Sequence, residues 1–403
     1  MTAELTIADF RAAAQLLAGI ADRTPVERSR ALAQVTGGDV WLKCENLQRT
    51  GSFKIRGAYV RMARLSADEK ARGVVAASAG NHAQGVALAA RELGISAVVY
   101  MPADAALPKI AATRGYGAEV RLVGASVDEA LLAARAECTR TGAVLIHPFD
   151  HRDIVIGQGT LALELVEQVP DMATVLVPLG GGGFAAGIAS ALHELRPDVR
   201  VVGVQAASAA AYPASLAAGR PVAATSMRTM ADGIAVGTPG DVPFEILQRL
   251  GVEVRTVSEE DLSRALLFVA ERAKLLVEPS GAAGVAALMA DPASFPGTVV
   301  PILSGGNIDP ILLLRVVQHG LTSAGRYLQL RVLLEDRPGA LAALLAHLAS
   351  SGGNVMHVGH VRTAADLGIG DVEIAVQLET KGPEHCERVV AELCAAGYRV
   401  TQT

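Results

Sequence analysis

The chain has 403 residues and a formal charge of −5, and 51% of its residues are apolar, 19% charged and 3% aromatic. That length predicts two or three domains, and the composition is typical of a globular protein. Since there is no long basic run, nothing indicates binding to nucleic acid or to an anionic membrane. The four cysteines form no C-x-x-C pair, which argues against a zinc site or a disulfide framework.

At the N-terminus, charged residues interrupt the apolar ones at Glu4, Asp9 and Arg11. This pattern predicts an amphipathic helix rather than a signal peptide or a membrane span. Together with the scattered cysteines, it leads us to expect a cytoplasmic protein.

Short apolar, β-branched runs then alternate with alanine-rich helical stretches. The runs end at Ser78, Met101, Gly124, Phe149, Gly180, Ala206 and Ser304. Continuous apolar strands separated by helices predict parallel sheets covered on both faces, hence an open α/β fold. We expect a catalytic region over residues 1–320, with a smaller lobe inserted near 50–150.

After Arg326 the pattern changes to β-α-β-β-α-β, the order of a ferredoxin-like domain, which we place at residues 326–403. A generic small α+β appendage is the alternative.

Four consecutive glycines, Gly180, Gly181, Gly182 and Gly183, stand between a predicted strand and a predicted helix. Backbone N–H groups without neighbouring side chains can converge on an anion at a helix N-terminus, which indicates a phosphate site. The segment lacks the Lys-Ser/Thr of a P-loop and the G-x-G-x-x-G spacing of a dinucleotide fold. A structural tight turn is the alternative.

Two further strand ends carry polar groups. "SAGNHAQG", starting at Ser78, supplies donors suited to a carboxylate, although it also fits a plain helix N-cap. "SGGN", starting at Ser304, is a weak signal by itself. With Lys54 in "TGSFKIRGAY", these loops suggest pyridoxal phosphate, which needs a lysine, a phosphate site and a partner for its ring nitrogen.

The chain resembles the fold-type II pyridoxal-phosphate enzymes, specifically the threonine dehydratase (threonine ammonia-lyase) family, over roughly residues 10–320. The matching segments are "KCENLQRTGSFKIRGA", "SAGNHAQG", "HPFDHRDIVIGQGT", "VPLGGGGFAAG", "GVQ", "TMADGIAVGTPG", "EPSGAAG" and "SGGNID". The tail resembles an ACT domain, an amino-acid-sensing module, through "DRPGAL" and "GGNV".

The resemblance implies a role for each matching residue. Lys54 would bind the cofactor aldehyde and later act as general base at Cα, and Phe53 would pack beside the ring. Asn81 would contact the ring hydroxyl, Gly180 to Gly183 the phosphate, Ser304 the pyridine nitrogen, and Gly233 the cofactor. The substrate carboxylate would be held by Ser78, Gly80, Asn81 and His82.

The implied reaction is deamination of L-threonine to 2-oxobutanoate, or of L-serine to pyruvate. The main competitor is a serine or threonine racemase, whose motif is Ser-Ser-Gly-Asn-His. This chain has Ala79 at the second position, and alanine cannot carry a proton. A catalytically silent amino-acid sensor is the non-enzyme alternative.

Racemases of this group also bind a divalent cation through two carboxylates, where this chain has Gln205 and Ala211. We therefore predict no metal there, because Mg²⁺ and Ca²⁺ require such oxygens.

In the tail, the resemblance implies an effector site formed by Asp336, Arg337, Gly339 and Asn354. Isoleucine is the expected inhibitor and valine its antagonist, in a homo-oligomer that is a dimer or tetramer. A purely oligomerising tail is the alternative.

Overall fold

The computed structural model describes residues 4–362 and 367–402. The chain forms two compact units, Met1–Pro310 and Ile311–Thr403. Within the described residues, no helix is long and apolar enough to span a membrane.

The first unit alternates helices and strands along most of its length. Its helices are α1 (Ile7–Leu16), α2 (Arg30–Thr36), α3 (Lys54–Ala63), α4 (Ala67–Arg72), α5 (Asn81–Leu93), α6 (Leu107–Gly115), α7 (Val127–Thr141), α8 (Arg152–Gln168), α9 (Gly183–Leu195), α10 (Tyr212–Ala218), α11 (Asp241–Arg249), α12 (Glu259–Phe268) and α13 (Pro279–Ala290). Its strands are β1 (Val26–Arg28), β2 (Trp41–Lys43), β3 (Val74–Ala77), β4 (Ala97–Met101), β5 (Glu119–Leu122), β6 (Val144–Leu145), β7 (Met172–Pro178), β8 (Arg200–Ala206), β9 (Glu253–Val257) and β10 (Thr298–Pro301).

Two four-stranded parallel sheets organise this unit, in the orders β5-β4-β3-β6 and β10-β7-β8-β9. The expected open α/β architecture with two parallel sheets is thus confirmed. Strands β1 and β2 form a separate antiparallel pair.

Four strands of this unit differ from the sequence interpretation: β1, β2 and β9 are absent from the predicted runs, and β6 is shorter than its run. Strand β9 is absent from the predicted runs because it lies at a sheet edge and carries Glu253 and Arg255, so its burial is partial. Strand β6 is only two residues long, since the chain turns away at His147. The His147 Nδ1 accepts hydrogen bonds from the N–H groups of Phe149 and Asp150, which stabilises that turn.

A buried ionic cluster joins β2, α3 and α8. Lys43 Nζ donates to Glu164 at 2.5 Å, and Arg56 donates to both Glu164 and Glu45. Burial lowers the pKa of Lys43; burial alone would raise the pKa of Glu45, but the Arg56 guanidinium lowers it. Because each buried charge has a partner, the cluster fixes the first turn of α3, on which Lys54 stands.

The second unit contains α14 (Pro310–Ser323), β11 (Tyr327–Glu335), α15 (Ala340–Ser350), β12 (Asn354–Val361), β13 (Asp371–Glu379), α16 (Pro383–Ala395) and β14 (Arg399–Gln402). Its sheet is antiparallel, in the order β12-β13-β11-β14. After α14, the element order is β-α-β-β-α-β, which confirms the expected ferredoxin-like fold.

Glycines allow α8 and α9 to cross closely, so a larger residue at the crossing should destabilise the fold. A Cβ on Gly187 would lie 2.6 Å from the Gly159 nitrogen and would also meet the Val155 carbonyl. Gly187→Ala should therefore lower the free energy of unfolding by about 1–3 kcal/mol, measured by urea denaturation. Gly115→Ala is the matched control, since a Cβ there meets no described atom within 4 Å. Equal stability of the two variants would contradict this account of the crossing.

Candidate active site

Backbone hydrogen bonds join the loop before α3 to the loop after β10. The Phe53 N–H donates to the Ser304 carbonyl at 3.2 Å, and the Gly306 N–H donates to the Gly51 carbonyl at 2.8 Å. These bonds fix Lys54, the first residue of α3, relative to the buried Ser304. Two segments far apart in the sequence therefore form one wall of a site.

The amine of Lys54 is partly buried and lies near few polar groups. Its Nζ donates to the Pro148 carbonyl at 3.3 Å and lies 5.0 Å from the centre of the Phe53 ring. Burial lowers the pKa of Lys54 to about 8, although attraction to Glu278 opposes the shift. About a tenth of this amine is then neutral at pH 7, far more than for an ordinary lysine, which suits a nucleophile or a base.

Phe53 is held in place by another ring. It stacks on Phe184 with a centroid separation of 3.8 Å and an interplanar angle of 10°. Phe184 belongs to the first turn of α9, so this stacking connects the lysine segment with the glycine loop.

The glycine loop leads directly into α9. Gly182 has φ of +101°, a conformation that favours glycine, and no side chain caps the first turn among the described residues. A Cβ on Gly183 would lie 2.7 Å from the Phe149 carbonyl, and one on Gly182 would overlap the Tyr212 hydroxyl. The loop therefore requires glycine and leaves N–H groups at the positive end of a helix, as a phosphate site needs.

Helix α5 supplies a second such N-terminus. Gly80 is its N-cap residue, and a Cβ there would meet no described atom within 4 Å, so the position borders open space. The Ser78 hydroxyl accepts a hydrogen bond from the Gly80 N–H at 3.2 Å. The N–H groups of the first turn are directed toward that space and can bind a carboxylate.

The ring of His82 faces a different partner. Its Nε2 lies 2.8 Å from the Ile146 carbonyl, and because a carbonyl only accepts, this nitrogen carries the proton. Burial, together with repulsion from Lys54, lowers the pKa of His82 to about 3, so the ring is neutral. Of the groups of His82, the backbone N–H rather than the ring is suited to hold a carboxylate.

Asn81 and Gly233 meet at a residue that the sequence interpretation did not single out, Glu278. Asn81 Nδ2 donates to Glu278 Oε1 at 2.7 Å, and a Cβ on Gly233 would lie 3.2 Å from the same oxygen. Gly233 is also close to the glycine loop, since a Cβ on Gly180 would lie 3.5 Å from its carbonyl oxygen.

These contacts place the expected catalytic and cofactor residues around one site. The expected effector residues lie in the second unit, where Asp336, Arg337 and Gly339 line a cavity of about 330 Å³. Asn354 does not line that cavity; its side chain donates to Glu379 at 3.2 Å.

Neither residue that stands where a racemase is expected to carry a carboxylate, Gln205 or Ala211, has an acidic side chain. Gln205 Oε1 accepts a hydrogen bond from the Tyr212 N–H at 2.9 Å, and Ala211 is buried. Among the described residues there is no cluster of three or more His, Cys, Asp or Glu side chains that could hold a metal. The absence of a divalent ion stays a prediction.

Four contributors to the site had no role assigned from the sequence: Phe149, Tyr212, Glu278 and Asn307. Phe149, Glu278 and Asn307 lie in segments that carry the family resemblance, and that was the available signal; Tyr212 lies outside those segments. Their roles depend on contacts between distant parts of the chain, which local patterns do not indicate.

Pyridoxal phosphate fits these groups. The site offers one amine with a lowered pKa, a helix N-terminus after the glycine loop that has no side-chain cap within the described chain, and a buried hydroxyl at Ser304. Those are the chemical partners that its aldehyde, phosphate and ring nitrogen require.

Comparisons with known proteins agree with pyridoxal phosphate as the cofactor. Residues 18–305 match the family described as "Pyridoxal-phosphate dependent enzyme". The chain therefore belongs to the pyridoxal-phosphate-dependent enzymes, and its cofactor is pyridoxal phosphate.

Full-length similarity narrows the family further. The L-threonine ammonia-lyase of Thermotoga maritima is 45% identical over 396 residues, covering 98% of this chain and 99% of that protein. Within the class, the chain thus belongs with the L-threonine ammonia-lyases, as the sequence motifs predicted.

Solved structures show the same fold. The T.th. threonine deaminase superposes with a TM-score of 0.72 at 42% identity, covering 76% of this chain and 99% of that one. A maize serine racemase gives a TM-score of 0.73 at 34% identity, covering 79% of this chain and 98% of that one.

The lowered pKa of Lys54 predicts how the cofactor-free protein takes up its cofactor. Only the neutral amine attacks an aldehyde, so the uptake rate should rise about tenfold per pH unit up to about pH 8 and then level off. Stopped-flow absorbance after mixing with pyridoxal phosphate measures this rate. Lys54→Ala should show no covalent uptake; a rate that keeps rising to about pH 10.5 would contradict the lowered pKa.

Proposed function

We propose that this protein deaminates L-threonine to 2-oxobutanoate and ammonia, and L-serine to pyruvate and ammonia. The observation that carries the proposal is the partly neutral Lys54 amine beside a helix N-terminus, at Gly80, that borders open space. The full-length similarity to L-threonine ammonia-lyases supports it.

When bound, pyridoxal phosphate supplies an aldehyde for the substrate amine and a ring system that stabilises negative charge at Cα. Lys54 would remove the Cα proton, because its buried amine is not fully charged at neutral pH. The β-hydroxyl would leave as water with one proton, which balances the proton taken from Cα, and the released enamine would react with water in solution to give the oxo acid and ammonia.

The other residues bind and orient. The first-turn N–H groups of α5, with the Ser78 hydroxyl, would hold the substrate carboxylate, and those of α9 would hold the cofactor phosphate. Ser304 would face the ring nitrogen with a neutral hydroxyl, which does not hold that nitrogen protonated as a carboxylate does. A less electron-withdrawing ring favours quick loss of a β-leaving group, hence elimination.

A racemase is the second candidate, because a serine racemase shares the fold at 34% identity. It needs an acid or base on the face of Cα opposite Lys54. Ala79 offers no proton, and the His82 ring donates to the Ile146 carbonyl instead. We therefore favour elimination.

The proposed activity predicts oxo-acid release from both substrates. With the complete holoenzyme, kcat/KM for L-threonine and L-serine should differ by roughly 10–200-fold at most, because one methyl group contributes only about 1–3 kcal/mol. A coupled lactate dehydrogenase or hydrazone assay measures the oxo acids. Release from neither substrate by protein that carries bound cofactor would refute the proposal.

We further propose that the second unit binds a branched-chain amino acid, isoleucine or valine, in the 330 Å³ cavity. One side is apolar, with Leu334, Val372 and Ile374, and suits an aliphatic side chain. The other carries Arg337 and Arg362 for a carboxylate. Arg362, which pairs with Asp336 at 2.9 Å, replaces Asn354 among our candidate contacts.

Point variants test the effector site in the full-length enzyme. Arg337→Ala and Arg362→Ala should each weaken L-isoleucine binding about tenfold or more, measured by isothermal titration calorimetry. Arg388→Ala on α16, outside the cavity lining, is the control and should bind normally. If both cavity variants bind L-isoleucine with unchanged affinity, the effector does not bind in this cavity. If the enzyme binds AMP but not isoleucine or valine, a nucleotide is the effector.

A cytoplasmic location and a homo-oligomer, dimer or tetramer, complete the proposal. All four cysteines lie within the described residues and carry free thiols, as expected in a reducing compartment.

A further inference from the structure

Glu278 is a buried carboxyl group inside the site. It immediately precedes α13 and is 5% exposed, and its backbone N–H donates to the Gly305 carbonyl at 3.0 Å. Although it occupies the N-cap position, its side chain makes no capping hydrogen bond to its own helix, all of which the structure describes. The carboxyl group points away from its own helix, so it does not serve to cap that helix.

Its Oε1 is the acceptor for Asn81. Asn81 Nδ2 donates to that oxygen at 2.7 Å, while Asn81 Oδ1 accepts from Asn307 Nδ2 at 2.8 Å. Asn307 is itself fixed, since the same nitrogen donates to the Thr50 carbonyl at 2.7 Å. Both ends of the Asn81 amide are therefore defined, and one N–H of Nδ2 is left for another acceptor.

Two glycines make room for the carboxyl group. A Cβ on Gly305 would lie 2.5 Å from Glu278 Oε1, and one on Gly233 would lie 3.2 Å from it. Gly305 directly follows Ser304, and the other glycine, Gly233, is expected to contact the cofactor. The Glu278 carboxyl oxygen occupies the space that the missing side chains leave. Because the same oxygen accepts from Asn81, Glu278 connects Asn81 with the loops that carry both glycines.

Charged groups from three elements surround this carboxyl. Burial and the nearby Asp232 raise the pKa of Glu278 to about 7, against the influence of Lys109 and Lys54. Neutral and ionised forms thus both occur near neutral pH, and either form can accept a hydrogen bond through Oε1.

We propose that Glu278 is a positioning residue that fixes the Asn81 amide, so that its remaining N–H is presented to the ring hydroxyl of the cofactor. The inference rests on the proposed function, and within it on the contact with the ring hydroxyl that the family resemblance implies for Asn81. Glu278 contributes through the position of its acceptor oxygen, which the length of its side chain sets, and not through its charge.

Two variants separate reach from charge. Glu278→Gln keeps an acceptor oxygen at the same distance and removes the charge. Glu278→Asp keeps the charge and withdraws the carboxyl group by one methylene. The positioning role predicts that Gln preserves cofactor binding and that Asp impairs it, whereas a purely electrostatic partner of Lys54 predicts the reverse order.

The readouts need no substrate. The dissociation constant of the cofactor reports how tightly the reconstituted protein binds it. The visible circular dichroism of the bound cofactor reports its orientation in the site. Glu278→Gln should stay within about twofold of the parent dissociation constant with the same dichroic band, while Glu278→Asp should bind about tenfold more weakly with an altered band. Glu167→Gln, at an exposed ion pair with Arg23, is the matched control.

An affinity for Glu278→Asp that equals the parent's, or a Gln variant impaired as much as the Asp variant, would overturn the inference. Thermal melting of each cofactor-free variant separates a folding defect from a positioning defect. Because oxo-acid release by the parent enzyme is measured separately, failure of the proposed activity and failure of this role are distinguishable.

Discussion

The partial burial of the Lys54 amine is the constraint on which the rest of the site depends. An amine held against the Phe53 ring and one backbone carbonyl loses hydration, and its pKa falls to about 8. The buried Lys43–Glu45–Arg56–Glu164 cluster fixes α3 behind it. Charged residues thus stabilise the frame, while the reactive amine is left with a single hydrogen-bond acceptor among the described residues.

In our proposal, two helix N-termini bind the anionic groups of cofactor and substrate. The first turn of α9 follows the glycine loop, and the first turn of α5 borders open space at Gly80. Neither turn has a side-chain cap in the part of the chain that the structure describes. Since an uncapped N-terminus exposes several N–H groups and a positive end, each can bind one anionic group of cofactor or substrate without a cationic side chain. Lys54 is then free to act as a base.

Much of this arrangement was predictable because its signals are local. Strand runs that end in glycine or polar loops indicated the parallel sheets, and the long motifs around Lys54 and Gly180 indicated the family. Strand β9 was missed because an edge strand with alternating charges does not form an apolar run. Glu278 was missed because its partner Asn81 is 197 positions away in the sequence. The sequence predicts His82 at the substrate carboxylate but does not say which of its groups binds, and the hydrogen bond to the Ile146 carbonyl shows that the ring already has a partner.

We propose that, among the described residues, Lys54 is the only base at the substrate Cα and that Ala79 carries no proton to its other face. Chiral chromatography of the serine and threonine that remain during turnover tests it directly. The account predicts that oxo acid accumulates while the remaining amino acid stays in the L form. D-serine or D-threonine forming at a rate comparable to oxo-acid release would contradict it.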